Sequence, residues 1–470
     1  VAALALGGAA AVAAAAGGVS GDVWVGAAVP AEPPLECAPS QPPSARTPKN
    51  ATVLQNVTSF RSFRALALMP SMLTIPPCEK GDVAMIDREQ IDRSVDAVAP
   101  QVIALSKQIH AHPELRFEEH RAAAWLADSV EQAGIPVERG VGDLPTAFRA
   151  RLGSGSGPRI AILAEYDALP EIGHACGHNL IAGGALGAFL ALAKEGKLPG
   201  NVDLIGTPAE EGGGGKIRLL HAGVFEGVDA AMMFHPYDRD ILAHPALASR
   251  WLTMKFQGTP AHAAAAPWDG NSALTACLET FRLIDSQRVH FRDGVRVHGY
   301  VTNGGQAVNI IPENAACEFS VRAPFKAELE RVAEIVERCA RGAAMACGVQ
   351  VDLSIRQGYR EMKNNLAIAR RFGAAMAALG RPARETDPRV GSGSTDMGDL
   401  SQAVPSIHPY LAICDEGETL CHQHAFAACA ASERGFATML TAAKAMARTT
   451  LDLLEDPKLL EGVKAEFAQG

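Results

Sequence analysis

The chain has no basic block and no aromatic stripe interleaved with Lys and Arg, so the usual footprint of a nucleic-acid binder is missing. Its formal net charge of −9 comes from acidic and basic residues interspersed along the length. Cysteine occurs ten times but without the dense, regular spacing of a disulfide scaffold. Scattered thiols fit a reducing compartment, and a cytoplasmic location is the expectation. Strongly apolar runs with flanking anchors are also absent. Val1–Val19 carries no charge but is mostly Ala and Gly, too weakly apolar to read as a spanning helix, so no membrane partner is expected. That stretch also lacks a basic n-region and an initiating Met. A signal-peptide remnant, a low-complexity tail and sequence upstream of a start at Met85 all remain open. Residues 29–48 are rich in Pro and Ser with no apolar periodicity, which predicts disorder. Residues 1–84 are therefore treated as a tail without assigned function.

What is present suits a large globular enzyme. The 48% hydrophobic and 20% charged content allows a sizeable core. A length of 470 residues corresponds to about two to four domains. From Asp87 onward Ile91, Val95, Val98, Val102, Leu105 and Ile109 recur at helical spacing. A second helix is expected from about Glu118 to Gly134, a buried one over Leu180–Leu192, and a long one over Glu433–Leu454. Between them lie apolar runs that read as strands buried on both faces. Arg159–Ala164 ends in Glu165 and Asp167; Val202–Gly206 leads to Glu210, Glu211 and four glycines; Ala230–Phe234 delivers His235. Ile407–Ile413 reads as one more strand, with Cys421, His422 and His424 in the loop beyond. Residues 248–361 break this pattern with a βαββαβ order, the mark of a separate two-layer α+β unit. The expected architecture is thus an α/β domain with a mainly parallel sheet, built from residues 85–247 and 362–470, with the α+β domain inserted at 248–361.

Open α/β sheets place ligand-binding groups at the carboxyl ends of their strands. In the loop His174–Asn179, Cys176 and His178 stand two residues apart between Gly173 and Gly177, a spacing that can turn a thiolate and an imidazole toward one cation. An ordinary buried thiol beside a capping His would give the same pattern. Glu210 and Glu211, as chain neighbours, point different ways, so one can hold a metal while the other faces a water. A solvated acidic turn is the competing reading, as a core histidine is for His235. Four strand ends of this kind in one chain point to a thiolate, carboxylate and imidazole site at one sheet edge.

The segments HPELRFEEH from His112, EYDALP from Glu165, EIGHACGHNLIA from Glu171, GTPAEEGGGGK from Gly206, NGGQAVNIIP from Asn303 and GSGSTDMGD from Gly391 span about residues 92–465. Together they resemble the metallopeptidases and amidohydrolases that include aminoacylase-1, carboxypeptidase G and the indole-acetyl-amino-acid hydrolases. Within that family they are most similar to the aminoacylase-1-like protein 2 group of β-alanyl-lysine dipeptidases, with p-aminobenzoyl-glutamate hydrolase a near relative. The resemblance implies Cys176, His178, Glu211, His235 and His422 as metal ligands, with His424 competing for the last place, and Glu210 as general base. It implies that Asp167 steers a ligand from behind, and that His262 reaches the substrate oxyanion, across a dimer in one arrangement. Asn309 and Arg322 would hold a substrate carboxylate. Glu165 stands where other branches have a ligating His, and Cys176 marks the Cys-containing branch, so the number of tightly held ions stays open. One or two divalent ions per protomer, zinc or manganese, are implied, as is a homodimer formed through the inserted lid and dimerisation domain. The expected substrate is a small dipeptide of β-alanyl or lysyl type, with p-aminobenzoyl-glutamate or an N-acyl amino acid as alternatives. A non-catalytic binding homologue is the reading from another class; the presence of Glu210, Glu211, His235 and His422 together speaks against it.

Overall fold

The computed structural model describes residues 85–153 and 155–469; the tail expected over residues 1–84 lies outside them. The first helix, Arg88–Ala111, starts at Asp87, whose carboxylate accepts the Glu89 N–H that a helix start leaves open. Its six periodic apolar residues form the buried face, none more than 6% exposed. That face packs on the helices His178–Lys194 and Glu433–Glu455. His178–Lys194 is buried on every side through Leu192, which its small residues permit. A Cβ on Gly183 would lie 2.4 Å from Met439 Sδ, and one on Gly184 2.6 Å from the Phe234 ring.

These helices cover a six-stranded sheet ordered Val137–Arg139, Phe148–Leu152, Asn201–Gly206, Arg159–Ala164, Ala230–Met232, Ser406–Ile407. The last four strands run parallel, and the first two are added antiparallel. The central strands have both faces covered, as a continuous apolar run requires. Ile160, Ile162 and Ala164 face one hydrophobic core, while Ala161 and Leu163 face another on the opposite side. Asp203 in the neighbouring strand is fully buried and is paired with Arg151 at 2.6 Å and Arg159 at 2.7 Å.

One expectation is corrected. Ile407–Ile413 is not a single strand but two, Ser406–Ile407 in the main sheet and Tyr410–Ala412 in a separate two-stranded sheet with His235–Tyr237. The later segment leaves the main sheet across His408-Pro409, where proline has no N–H to continue a ladder. The earlier one leaves it after Met232, and His235 and Pro236 already lie in the new strand, opposite Tyr410 and Leu411. The two bends stay in register, because the His235 N–H donates to the Pro409 carbonyl at 2.8 Å.

The βαββαβ order over the inserted segment appears as Ala248–Gln257, Ala273–Gln287, Arg296–Asn303, Asn314–Ala323, Lys326–Cys347 and Gln350–Gln357. The four strands form an antiparallel sheet ordered 350–357, 248–257, 314–323, 296–303. Its two helices cover one face and enclose a core of their own, with Leu252, Phe256, Phe319, Val332 and Val336 at its centre. The other face leaves Tyr300 exposed. Where the chain passes between the two sheets, the Ser249 N–H donates to the Tyr359 carbonyl at 2.9 Å, and the Tyr359 N–H donates to Ser249 Oγ at 3.1 Å.

Candidate metal centre

The carboxyl ends of the parallel strands converge beside the start of the helix His178–Lys194. Gly177 turns the chain there with φ +79°, and a Cβ on it would sit 2.9 Å from the Pro236 ring, so the loop can close on the His235-Pro236 bend only with glycine. Cys176 Sγ lies 3.4 Å from His235 Nε2. His235 Nδ1 donates to its neighbour's carbonyl, Pro236 O, at 2.7 Å, which leaves Nε2 facing the sulfur. His178 Nδ1 donates to Asp167, at 2.9 Å to the carbonyl and 3.0 Å to Oδ1, and its Nε2 is buried with no hydrogen bond among the described residues. Asp167 Oδ2 accepts the Glu211 N–H at 2.9 Å, so one carboxylate orients two candidate ligands. His422 Nε2 is 3.2 Å from Glu211 Oε1. The backbone holds His422 there: its N–H donates to Ala175 O at 2.9 Å, and its φ is +70°.

Three overlapping donor sets result: Cys176, His178 and His235; Cys176, Glu211 and His422; and His178, Glu210 and Glu211. Within each, the ligand atoms lie within 4.8 Å of one another. Among the described residues His178 Nε2 and Glu165 Oε2 are fully buried and meet only each other, at 3.5 Å and without a hydrogen bond, a costly state for polar atoms that a divalent cation would relieve. The electrostatics differ from donor to donor: burial works to lower the His178 pKa, but Asp167, Glu165 and Glu211 outweigh it and push the imidazole up, so His178 would give up a proton on binding a cation. Burial, with the His178 imidazole beside it, pushes His235 down to about 4, so it offers a lone pair at neutral pH. The Cys421 thiol, burial and the Glu211 carboxylate all push the Cys176 thiol up, and a bound cation is what would return it to a thiolate. Burial, followed by Glu211, Glu165 and Asp396, holds the Glu210 carboxyl well above the usual carboxylate range. The residues therefore fit a divalent metal.

A cavity of about 430 Å³ opens over these donors, bordered among others by Trp251, Arg322, Tyr359 and Tyr410. Residues 161–450 match the peptidase family M20/M25/M40. The chain belongs to that family. It is 39% identical over 413 residues to a mouse (Mus musculus) protein named Xaa-Arg dipeptidase, covering 83% of this chain and 95% of that one. It is 30% identical over 455 residues to one of the p-aminobenzoyl-glutamate hydrolase chains of Escherichia coli, covering 81% of this chain and 94% of the relative. In fold it resembles a dinuclear metal-binding peptidase of the M20 family from Bacillus subtilis, with a TM-score of 0.60, 23% identity, and coverage of 77% of this chain and 99% of that one. As an M20 member the protein is a metal-dependent peptidase or amidohydrolase.

Most of the candidate residues of this M20 chain meet at the cavity. Cys176, His178, Glu210, Glu211, His235 and His422 fall into the donor sets, whereas His424, the alternative last ligand, falls in none of them among the described residues. Asp167 accepts a hydrogen bond from His178, and Arg322 borders the cavity, with burial lowering its pKa. His262 and Asn309 do not reach the cavity. Neither is buried: they lie on the second sheet's connecting loops, where His262 Nδ1 accepts the Ala264 and Ala265 N–H groups. Spacing cannot place two loops relative to a cavity built by other elements. Four buried residues were given no role by sequence reasoning, although all but Tyr359 lie in the family-like segments: Glu119, Lys216, Tyr359 and Asp396. Lys216 Nζ donates to Glu165 Oε1 at 2.5 Å and Asp396 Oδ1 at 2.7 Å. Glu165 is thus tied to an ammonium. The one signal for Lys216 was a lysine directly after four glycines, which reads equally as a loop end.

Proposed function

We propose that this chain hydrolyses the amide bond of small dipeptides, β-alanyl-lysine and lysyl-type dipeptides first, with p-aminobenzoyl-glutamate and N-acyl amino acids as the alternatives. The observation that carries this reading is the gathering of Cys176, His178, Glu211, His235 and His422 into overlapping donor sets, all but His178 bordering a cavity that Glu210 also borders. The names of the two curated relatives support the choice of substrates. A zinc or manganese ion, when bound, would lower the pKa of a water and polarise the scissile carbonyl. Cys176, His178, Glu211, His235 and His422 would hold one or two such ions. Glu210, whose carboxyl is held above the usual carboxylate range by burial, would take the water's proton and pass it to the leaving amine. Arg322, which has no carboxylate paired with it among the described residues, would bind the substrate's carboxylate from the cavity wall, and Asn309, which does not reach this cavity, would join it only from a second protomer. His262 lies away from the cavity, so its part at the oxyanion would require a second protomer. This supports residues 248–361 acting as a lid and dimerisation domain in a homodimer. None of the eight cysteines among the described residues is in a disulfide, which favours a reducing, cytoplasmic setting. Among the described residues no helix is long and apolar enough to cross a membrane.

The test is a hydrolysis screen over these three substrate classes with zinc or manganese added, read by release of free amine. Turnover of at least one class is expected. Glu210→Gln should lower kcat by roughly 1,000-fold or more with metal content unchanged, and Cys176→Ala should lose metal. A Glu210→Gln enzyme that loses its metal instead would move Glu210 into the ligand set.

A further inference from the structure

The turn that carries Glu210 is held in an uncommon shape. Ala209 is fully buried and has φ +59°, a left-handed conformation that a residue with a Cβ keeps only when its surroundings impose it. Three successive residues of this turn are gripped through their backbone by buried side chains from three separate parts of the chain. The Ala209 N–H donates to Glu119 Oε1 at 2.8 Å. The Glu210 carbonyl accepts the Tyr359 hydroxyl at 2.5 Å. The Glu211 N–H donates to Asp167 Oδ2 at 2.9 Å. Asp167 already belongs to the site through His178; Glu119 and Tyr359 have had no role. Glu119 sits at the start of the helix His120–Gln132 with no exposed surface, and the same Oε1 also takes the Phe117 N–H at 2.9 Å. Tyr359 sits where the chain crosses between the two sheets, tied there to Ser249.

We propose that Glu119 and Tyr359 are positioning residues that lock the Ala209 turn and so set the direction of the Glu210 carboxylate. The inference rests on the reading of Glu210 as general base. Glu119 acts through one oxygen as an acceptor and does not border the cavity; Tyr359 does border it, but its hydroxyl is committed to the Glu210 carbonyl.

The test uses the full chain loaded with manganese, with β-alanyl-lysine as substrate, or p-aminobenzoyl-glutamate should the first be inert. Variants Glu119→Ala, Glu119→Gln and Tyr359→Phe are compared for kcat, KM, metal content and amide hydrogen exchange across residues 206–213. A misplacement of about 1 Å can cost roughly 100-fold in rate, so kcat should fall by about that factor in Glu119→Ala and by about 10-fold in Tyr359→Phe, with KM within about two-fold. Metal content should match wild type. Glu119→Gln should recover most of the rate, because an amide oxygen can accept both N–H groups, and exchange across the turn should quicken only in Glu119→Ala and Tyr359→Phe. Wild-type kcat in Glu119→Ala, equal damage in Glu119→Gln, or loss of metal would overturn the proposal for Glu119. A raised KM with unchanged kcat in Tyr359→Phe would assign that hydroxyl to substrate and overturn its part. If Glu119→Ala does not fold, Tyr359→Phe, which removes one oxygen, decides alone. If wild type hydrolyses nothing, the functional reading fails, and exchange still judges the clamp: unchanged protection in both variants refutes it, and faster exchange upholds it.

Discussion

Lys216 has no exposed surface and lies between the carboxylates of Glu165 and Asp396. Burial works to lower its pKa, but Asp396 and Glu165 outweigh that and hold the group charged. In return, burial raises Asp396 to about 6 while the ammonium opposes the shift. Taking away one partner of a buried ion pair strands the other, which typically costs about 3–5 kcal/mol. Lys216→Met should therefore lower the unfolding free energy by about that much in urea titrations of the metal-free protein. A change below about 1 kcal/mol would mean that the two acids simply take up protons on losing the lysine. At this scale the sequence pointed to side chains that the fold brings near one another, because thiol, imidazole and carboxyl chemistry belongs to the residue type. It could not separate His422 from His424, two residues apart in one loop. Nor could it mark Glu119 or Lys216, whose importance lies in what they touch.

The helices were legible as elements because one buried face imposes a 3.6-residue rhythm, and in Arg88–Ala111 each periodic residue is buried. The strand over Ile407–Ile413 was misread because apolar content continues across His408-Pro409 while the hydrogen-bond ladder does not. With the earlier break after Met232, that break sets a short two-stranded sheet beside the Cys176 loop. The helix His178–Lys194 places its first residue in the site and is pressed from several sides. Gly184 faces Phe234, which follows the strand leading to His235, and the ring is fully buried with little room to move. Gly184→Ala should thus overpack the core and destabilise the protein by about 1–3 kcal/mol, seen as a lower melting temperature. An unchanged or higher melting temperature would show that the ring can give way and that the helix–sheet contact is loose.

For the molecule as a whole, the donors come from positions as far apart as Cys176 and His422, so a cation binding them would staple the parallel sheet's edge to the loop after Tyr410–Ala412. A ligand that binds only the folded state stabilises it by mass action, by about 2.7 kcal/mol at 100 times its Kd. Chelation should accordingly lower the melting temperature by several degrees, and added manganese or zinc should restore it, read by scanning calorimetry. An identical melting temperature with and without chelator would mean that these donors do not share a cation. The second sheet was legible from its strand and helix order alone, since each element carries its own apolar pattern. Where its His262 and Asn309 loops lie relative to the cavity was not.

Taken by itself, the sequence determined the kinds of element, their order and the chemical identity of the donors, because these depend on local patterning and side-chain type. Only the tertiary structure decided which donors meet, that Glu165 is answered by Lys216, and that Ala209 is gripped by Glu119. Distances between residues remote in the chain are set by how helices and sheet pack, and no local pattern encodes that packing.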